Sequence, residues 1–141
     1  MADGPSEGFY QIAFTSDQLL TAHGAGPGAP LMLLPPDQSQ IQTWRVRRVA
    51  DGGYTIQAVP GESYISFDGE PDMHELALTS DEPRPWVLAP GAEPDTYAIG
   101  VAGAEPALRL GMSLLRIFPP RIALAPEYGD QYQAWHFRPV E

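Results

Sequence analysis

Cysteine, asparagine and lysine are all absent from this chain. Without cysteine there is no disulfide, no thiol nucleophile and no thiolate ligand for a metal. Without asparagine no N-linked glycan can be attached. Without lysine, the eight basic residues are all arginines, set against 18 acidic residues for a net charge of −10. Such a balance offers no broad basic stripe to neutralise phosphates, so neither nucleic acid nor an anionic membrane is an expected partner. No apolar run reaches the ~18 residues that a spanning helix needs. The opening "MADGPSEG" lacks the basic and apolar regions of a signal peptide, which sets the expectation of a cytoplasmic protein.

Proline and glycine are in excess, at 16 and 14 among 141 residues. Each proline removes a backbone donor and clashes with a preceding helical turn, so long helices are excluded and short strands joined by turns are expected. Hydrophobic content of 43% is ordinary for a globular chain. The length suits one domain over residues 1–141, which would bury roughly two thirds of its unfolded surface. Asp68, Glu70, Asp72, Glu75, Asp81 and Glu82 crowd one stretch and read as a solvated acidic face.

One pattern passes three times. "FYQI" at Phe9–Ile12, "YTI" at Tyr54–Ile56 and "YAI" at Tyr97–Ile99 open the passes, with tyrosines 44 and 43 residues apart. "QLL" from Gln18, "SYISF" from Ser63 and "ALRL" from Ala107 follow, then "PLMLL" from Pro30, "ELAL" from Glu75 and "RIAL" from Arg121. "QTWRV" from Gln42, "RPWVL" from Arg84 and "QAWHF" from Gln133 close them. Within these segments the period is two: Tyr10 and Ile12 share a face, as do Trp44 and Val46, with Arg45 and Arg47 opposite.

Half-buried antiparallel strands follow, four per pass. The predicted fold is all-β: a β-trefoil of twelve strands in three pseudo-symmetric four-stranded repeats, at about 8–49, 53–90 and 96–138, with 1–7 a flexible tail. Its six-stranded barrel, capped by three hairpins, removes most exposed sheet edges. An open sandwich also accommodates short strands but leaves the threefold order unexplained. Trp44, Trp86 and Trp135 are then equivalent core residues rather than ligand platforms.

Several apparent motifs lack the context that gives them chemistry. "GPSEG" at Gly4–Gly8 spells a nucleophile elbow, but Ser6 sits in a polar tail rather than between a strand and a helix. "GAGPGA" at Gly24–Ala29 is followed by Pro30 and a strand, not by the helix whose amides hold a pyrophosphate. His23, His74 and His136 have no metal-ligand spacing. "DGEPD" at Asp68–Asp72 lacks the glycine and distant glutamate of a calcium loop. No catalytic residue, metal or cofactor is expected, and the chain reads as a binding protein rather than an enzyme.

Gln-x-Trp in a three-repeat β chain resembles the ricin-B-type lectins, whose trefoils carry that tripeptide. Those lectins use an aspartate, an aromatic platform and an asparagine to hold sugar hydroxyls. This chain has no asparagine, and its second repeat carries Arg84-Pro85-Trp86. Gln42 and Gln133 are expected to satisfy backbone groups near the barrel.

The chain also resembles the small cysteine-free β-trefoil serine protease inhibitors of mushrooms, the cospin-like fungal inhibitors. That likeness rests on "GFYQI", "PLMLLPPD", "QTWRV", "GGYTIQ", "RPWVL", "DTYAI" and "QAWHF". It implies a cytoplasmic protein that blocks a serine protease through one exposed loop, with a carbohydrate-binding, ricin-B-like lectin module as the alternative. In the trypsin-directed members the contact loop joins the second and third strands of the first repeat. The matching segment here includes His23, Gly24, Ala25, Gly26 and Pro27, and holds no arginine. The third-repeat connection places Leu115, Arg116, Ile117 and Phe118 in one run before Pro119 and Pro120, and these are the other protease-contact candidates.

Overall fold

In the computed structural model of the chain, residues 5–15, 18–22, 28–37, 41–49, 52–59, 61–67, 69, 75–91, 93–102, 108–112, 120–126 and 134–140 are described. They form twelve strands: β1 (Gly8–Thr15), β2 (Gln18–Ala22), β3 (Leu31–Leu34), β4 (Thr43–Arg48), β5 (Tyr54–Val59), β6 (Tyr64–Phe67), β7 (Ala77–Ser80), β8 (Trp86–Pro90), β9 (Thr96–Val101), β10 (Leu108–Met112), β11 (Ile122–Pro126) and β12 (Ala134–Pro139). Alternation in the sequence becomes alternation in burial. Along β4, Trp44 and Val46 are buried, Arg45 is half-buried and Arg47 is exposed.

Antiparallel pairing closes a ring: β1 with β4, β4 with β5, β5 with β8, β8 with β9, β9 with β12, and β12 back to β1. The remaining strands pair as hairpins β2–β3, β6–β7 and β10–β11. A closed six-stranded barrel with three hairpins is a β-trefoil, as the repeat predicts.

The equivalence of the repeats holds at the level of single residues. Each opening tyrosine lies opposite the closing tryptophan of its own repeat: Tyr10 with Trp44, Tyr54 with Trp86, Tyr97 with Trp135. All three tryptophans are fully buried, as are Ile12, Ile56 and Ile99 two positions after the tyrosines. Each indole N–H donates to a carbonyl of its repeat's second strand: Trp44 to Leu20 at 3.0 Å, Trp86 to Ile65 at 2.9 Å, Trp135 to Leu110 at 3.1 Å. The indole thus ties barrel to hairpin while satisfying its one polar atom inside the core.

The third strand of each repeat starts later than the apolar pattern indicates. Pro30, Leu76 and Arg121 instead make isolated bridges to Leu78, Ala123 and Met32, each on another hairpin. The carbonyls just before them, of Ala29, Glu75 and Pro120, accept from the amides of Thr79, Leu124 and Leu33. These three contacts lock the hairpins into a triangle. A proline can open such a segment because the bond beside it is accepted by the Ala29 carbonyl, so the bridge does not call on the N–H that Pro30 lacks.

Candidate functional site

Gln42, two residues before Trp44, is 6% exposed and uses both ends of its amide. Its Nε2 donates to Thr21 Oγ1 at 3.2 Å and to the Pro35 carbonyl at 2.9 Å. Its Oε1 accepts from the Asp37 backbone N–H at 2.9 Å. Trp44 and Gln42 therefore act as one device: the indole anchors β2, and the amide fixes the end of β2 to the exposed Pro35–Asp37 segment. Gln42 is a frame residue and not a ligand contact, as its sequence position implies. What it presents is Asp37, held on a short exposed loop at the rim of the first repeat.

The second repeat shows what replaces this frame. Arg84 stands where Gln42 does, and Ser66, after the Trp86-bonded Ile65, stands where Thr21 does. Arg84 Nε donates to Ser66 Oγ at 2.8 Å, and Arg84 Nη2 donates to the Phe67 carbonyl at 3.3 Å. Its guanidinium lies 3.9 Å from the centroid of the Phe67 ring, which packs edge-on against Trp86. The departure from Gln-x-Trp preserves the link to the second strand and covers that corner of the hairpin with a cation–π contact. In the third repeat Gly111 follows Leu110 and is buried; Gln133 lies outside the described residues.

The barrel mouth opposite the hairpins is closed by tyrosines. Tyr10 donates to the Ser6 carbonyl at 2.7 Å and Tyr54 to the Pro5 carbonyl at 3.2 Å, and Pro5 is buried. Ser6 therefore belongs to a segment seated on the barrel floor. Burial, with Tyr97, Asp95 and Tyr54 nearby, pushes the Tyr10 hydroxyl above its ordinary value. Burial, with Asp95 and Tyr54, does the same to Tyr97.

The loop candidates His23, Gly24, Ala25, Gly26 and Pro27, and the run Leu115, Arg116, Ile117 and Phe118, lie outside the described residues. So do His74 and three of the clustered acids, Asp68, Glu70 and Asp72. His136 points outward with its Nε2 4.0 Å from Glu93 Oε1. Among the described residues no group of three or more histidines, aspartates and glutamates could hold a metal ion.

No protein-family model and no curated protein matches the chain. Solved structures match along its whole length. A ricin B-like lectin of Macrolepiota procera, in complex with lactose, has 16% identity and a TM-score of 0.80, covering 96% of this chain and 98% of that one. The Rhizoctonia solani agglutinin has 17% identity and a TM-score of 0.82, covering 97% and 98%. A designed threefold symmetric protein, ThreeFoil, has 13% identity and a TM-score of 0.80, covering 94% and 99%. At these identities the likeness establishes the trefoil fold.

The expectation of a serine protease inhibitor is corrected by these matches. Two of them are a ricin B-like lectin and an agglutinin, and nothing in them indicates protease inhibition. The physical reason lies in which residues carried the inhibitor likeness. Tyr10, Ile12, Leu31, Leu33, Trp44, Val46, Tyr54, Ile56, Trp86, Leu88, Ile99, Trp135 and Phe137 are all core residues. They report a scaffold that any trefoil requires.

Proposed function

We propose that this protein is a carbohydrate-binding β-trefoil, a binding protein rather than an enzyme, that recognises neutral sugars at the rim of its first repeat. The observation that carries the reading is the Gln42–Trp44 frame. A fully buried indole and the nearly buried Gln42 amide each bond to β2, and the same amide makes two further bonds, to the Pro35 carbonyl and the Asp37 N–H, that hold the loop backbone in place. A carboxylate carried on a loop whose backbone is held in this way can accept from sugar hydroxyls, and charge-assisted bonds of this kind are the strong ones. Pre-organisation removes the ordering cost that weakens most loop-mediated binding. The full-length likeness to a lectin solved with lactose supports the choice of ligand class.

Without asparagine, the first-repeat site must draw its donors toward the sugar from outside the Pro35–Asp37 loop, where the two prolines have no N–H and the Asp37 amide is already given to Gln42. In the second repeat Arg84 occupies the frame position and spans toward Ser66 and Phe67, so that repeat lacks the geometry of the first. One working site is therefore proposed among the described repeats. A glycan array of neutral oligosaccharides, β-galactosides included, tests the reading. Saturable binding that is lost in Asp37→Ala supports it, and an array without any bound glycan overturns it.

A further inference from the structure

The arginines are few, and three of the eight, Arg45, Arg47 and Arg138, collect on one outer face of the barrel. That face is built by β12, β1 and β4, which are neighbours in the ring. Phe9 lies opposite Arg45, and Arg45 lies opposite the half-buried Gln57. Gln11, also half-buried, lies opposite Arg138. Arg47 follows two positions along β4 on the same side and is exposed. At the centre Phe9 is 43% exposed, with the Arg45 guanidinium 5.7 Å from its ring centroid. Val140, bonded through its amide to the Phe9 carbonyl, extends the apolar spot at 36% exposure. Two carboxylates border the face: Glu7, which accepts from the Arg48 amide, and Glu93, beside His136. The second repeat has no such surface, since Val87 and Ala89 stand where Arg45 and Arg47 do.

On a chain of net charge −10 this concentration of cations requires a physical account. Spread evenly, eight arginines among 18 acids would leave no region able to attract an anion. Gathered around an exposed ring, they form a local site that an anionic group can use although the chain as a whole is acidic.

We propose that this face binds an acidic glycan, one bearing sulfate or uronate groups. The proposal rests on the carbohydrate-binding reading and adds a second, charge-dependent surface to it. The parts match that ligand chemically. Guanidinium forks pair in bidentate fashion with sulfate or carboxylate. The amides of Gln11 and Gln57 donate to and accept from hydroxyls. The Phe9 ring offers a flat apolar surface to the C–H face of a pyranose. A second copy of this chain would bring acidic groups too, but it would not call for an aromatic ring ringed by amides and guanidinium groups.

The test uses immobilised heparin and immobilised lactose in parallel with the full chain. Four proteins are compared: wild type, Asp37→Ala, Phe9→Ala, and the triple variant Arg45→Gln, Arg47→Gln, Arg138→Gln. Thermal melting confirms that each is folded. The expected result is salt-sensitive heparin binding by wild type and Asp37→Ala. It weakens roughly tenfold or more in the triple variant and measurably in Phe9→Ala, with lactose binding intact in both. Lactose binding without heparin binding overturns this inference and leaves the first-repeat reading standing. Loss of both overturns both. Heparin binding unchanged in the triple variant overturns the assignment to this face. Equal displacement by duplex DNA of matched charge shows a general polyanion surface and overturns the glycan. A concentration-dependent dimer abolished by the triple variant, without heparin binding, shows that the occupant is a second copy.

Discussion

Replacing each closing tryptophan in turn measures how far the three repeats are physically equivalent. Trp44, Trp86 and Trp135 are fully buried, and each donates one hydrogen bond to the second strand of its repeat. Truncation to alanine leaves a cavity at the junction of barrel and hairpin and should cost about 3–5 kcal/mol. Phenylalanine keeps much of the ring but leaves the Leu20, Ile65 or Leu110 carbonyl unpaired inside the core, at about 1–3 kcal/mol. A difference between repeats is also expected. Phe67 packs on Trp86 at 5.8 Å between centroids and Phe14 on Trp135 at 5.5 Å, whereas Trp44 has no such ring among the described residues. Aromatic pairs contribute roughly 0.5–1.5 kcal/mol beyond area, so Trp44→Ala should be the mildest of the three by about that margin. Urea denaturation reads this directly, as a fall in midpoint at constant slope. A tryptophan variant with wild-type stability would refute the threefold core, and so would a cost for Trp44→Ala clearly above the other two.

Three further outcomes follow from the packing. Arg84→Gln should lose the Phe67 contact but retain a donor toward Ser66, costing about 1 kcal/mol, while Arg84→Ala should cost more; thermal melting of both variants checks the order. Gly91→Ala should destabilise by about 1–3 kcal/mol, because the added carbon would run into the Thr96 hydroxyl and lie 3.2 Å from the Ala134 side chain; a urea midpoint equal to wild type would contradict this. The raised tyrosines give a pH dependence with a definite sign. Folding favours the neutral hydroxyls of Tyr10 and Tyr97, so their contribution is complete below the unfolded value of 10.0 and is lost as pH rises through the higher folded values. Urea midpoints measured from pH 8 upward should fall in the alkaline range, and less steeply in Tyr97→Phe.

Much of the fold was legible because it repeats. The tyrosines 44 and 43 residues apart are the ones that lie opposite the three tryptophans, so an alignment of letters became a register of strands. The hairpin triangle was not legible. Pro30, Glu75 and Arg121 read as the first residues of strands, and only a third dimension shows that Pro30, Leu76 and Arg121 bridge to other hairpins. The site was legible in part. Gln42 reads from its place in the motif as a residue that satisfies backbone groups, whereas Asp37 carries no motif, because its importance comes from the Gln42 bond to its amide. Arg84 stood out as a break in the motif, and its structural role depends on Ser66 and Phe67, 18 and 17 residues earlier. The protease-inhibitor expectation rests on core segments, which are constrained by packing and carry no information about a partner. The outer arginine face was visible as Arg45 and Arg47 alternating away from Trp44. Its continuity with Phe9 and Arg138 required the closure of β12 onto β1 and of β1 onto β4.

The central claim, that a sugar binds at the framed rim of the first repeat, is tested most directly by amide chemical shifts recorded while lactose is titrated into the isotope-labelled protein. The account predicts saturable shifts concentrated at the end of β2, at Asp37 and at Gln42, with the Asp37 amide among the largest, and their disappearance in Asp37→Ala. Shifts confined to the second repeat around Arg84, or no shifts at lactose concentrations that saturate ordinary lectins, would contradict it.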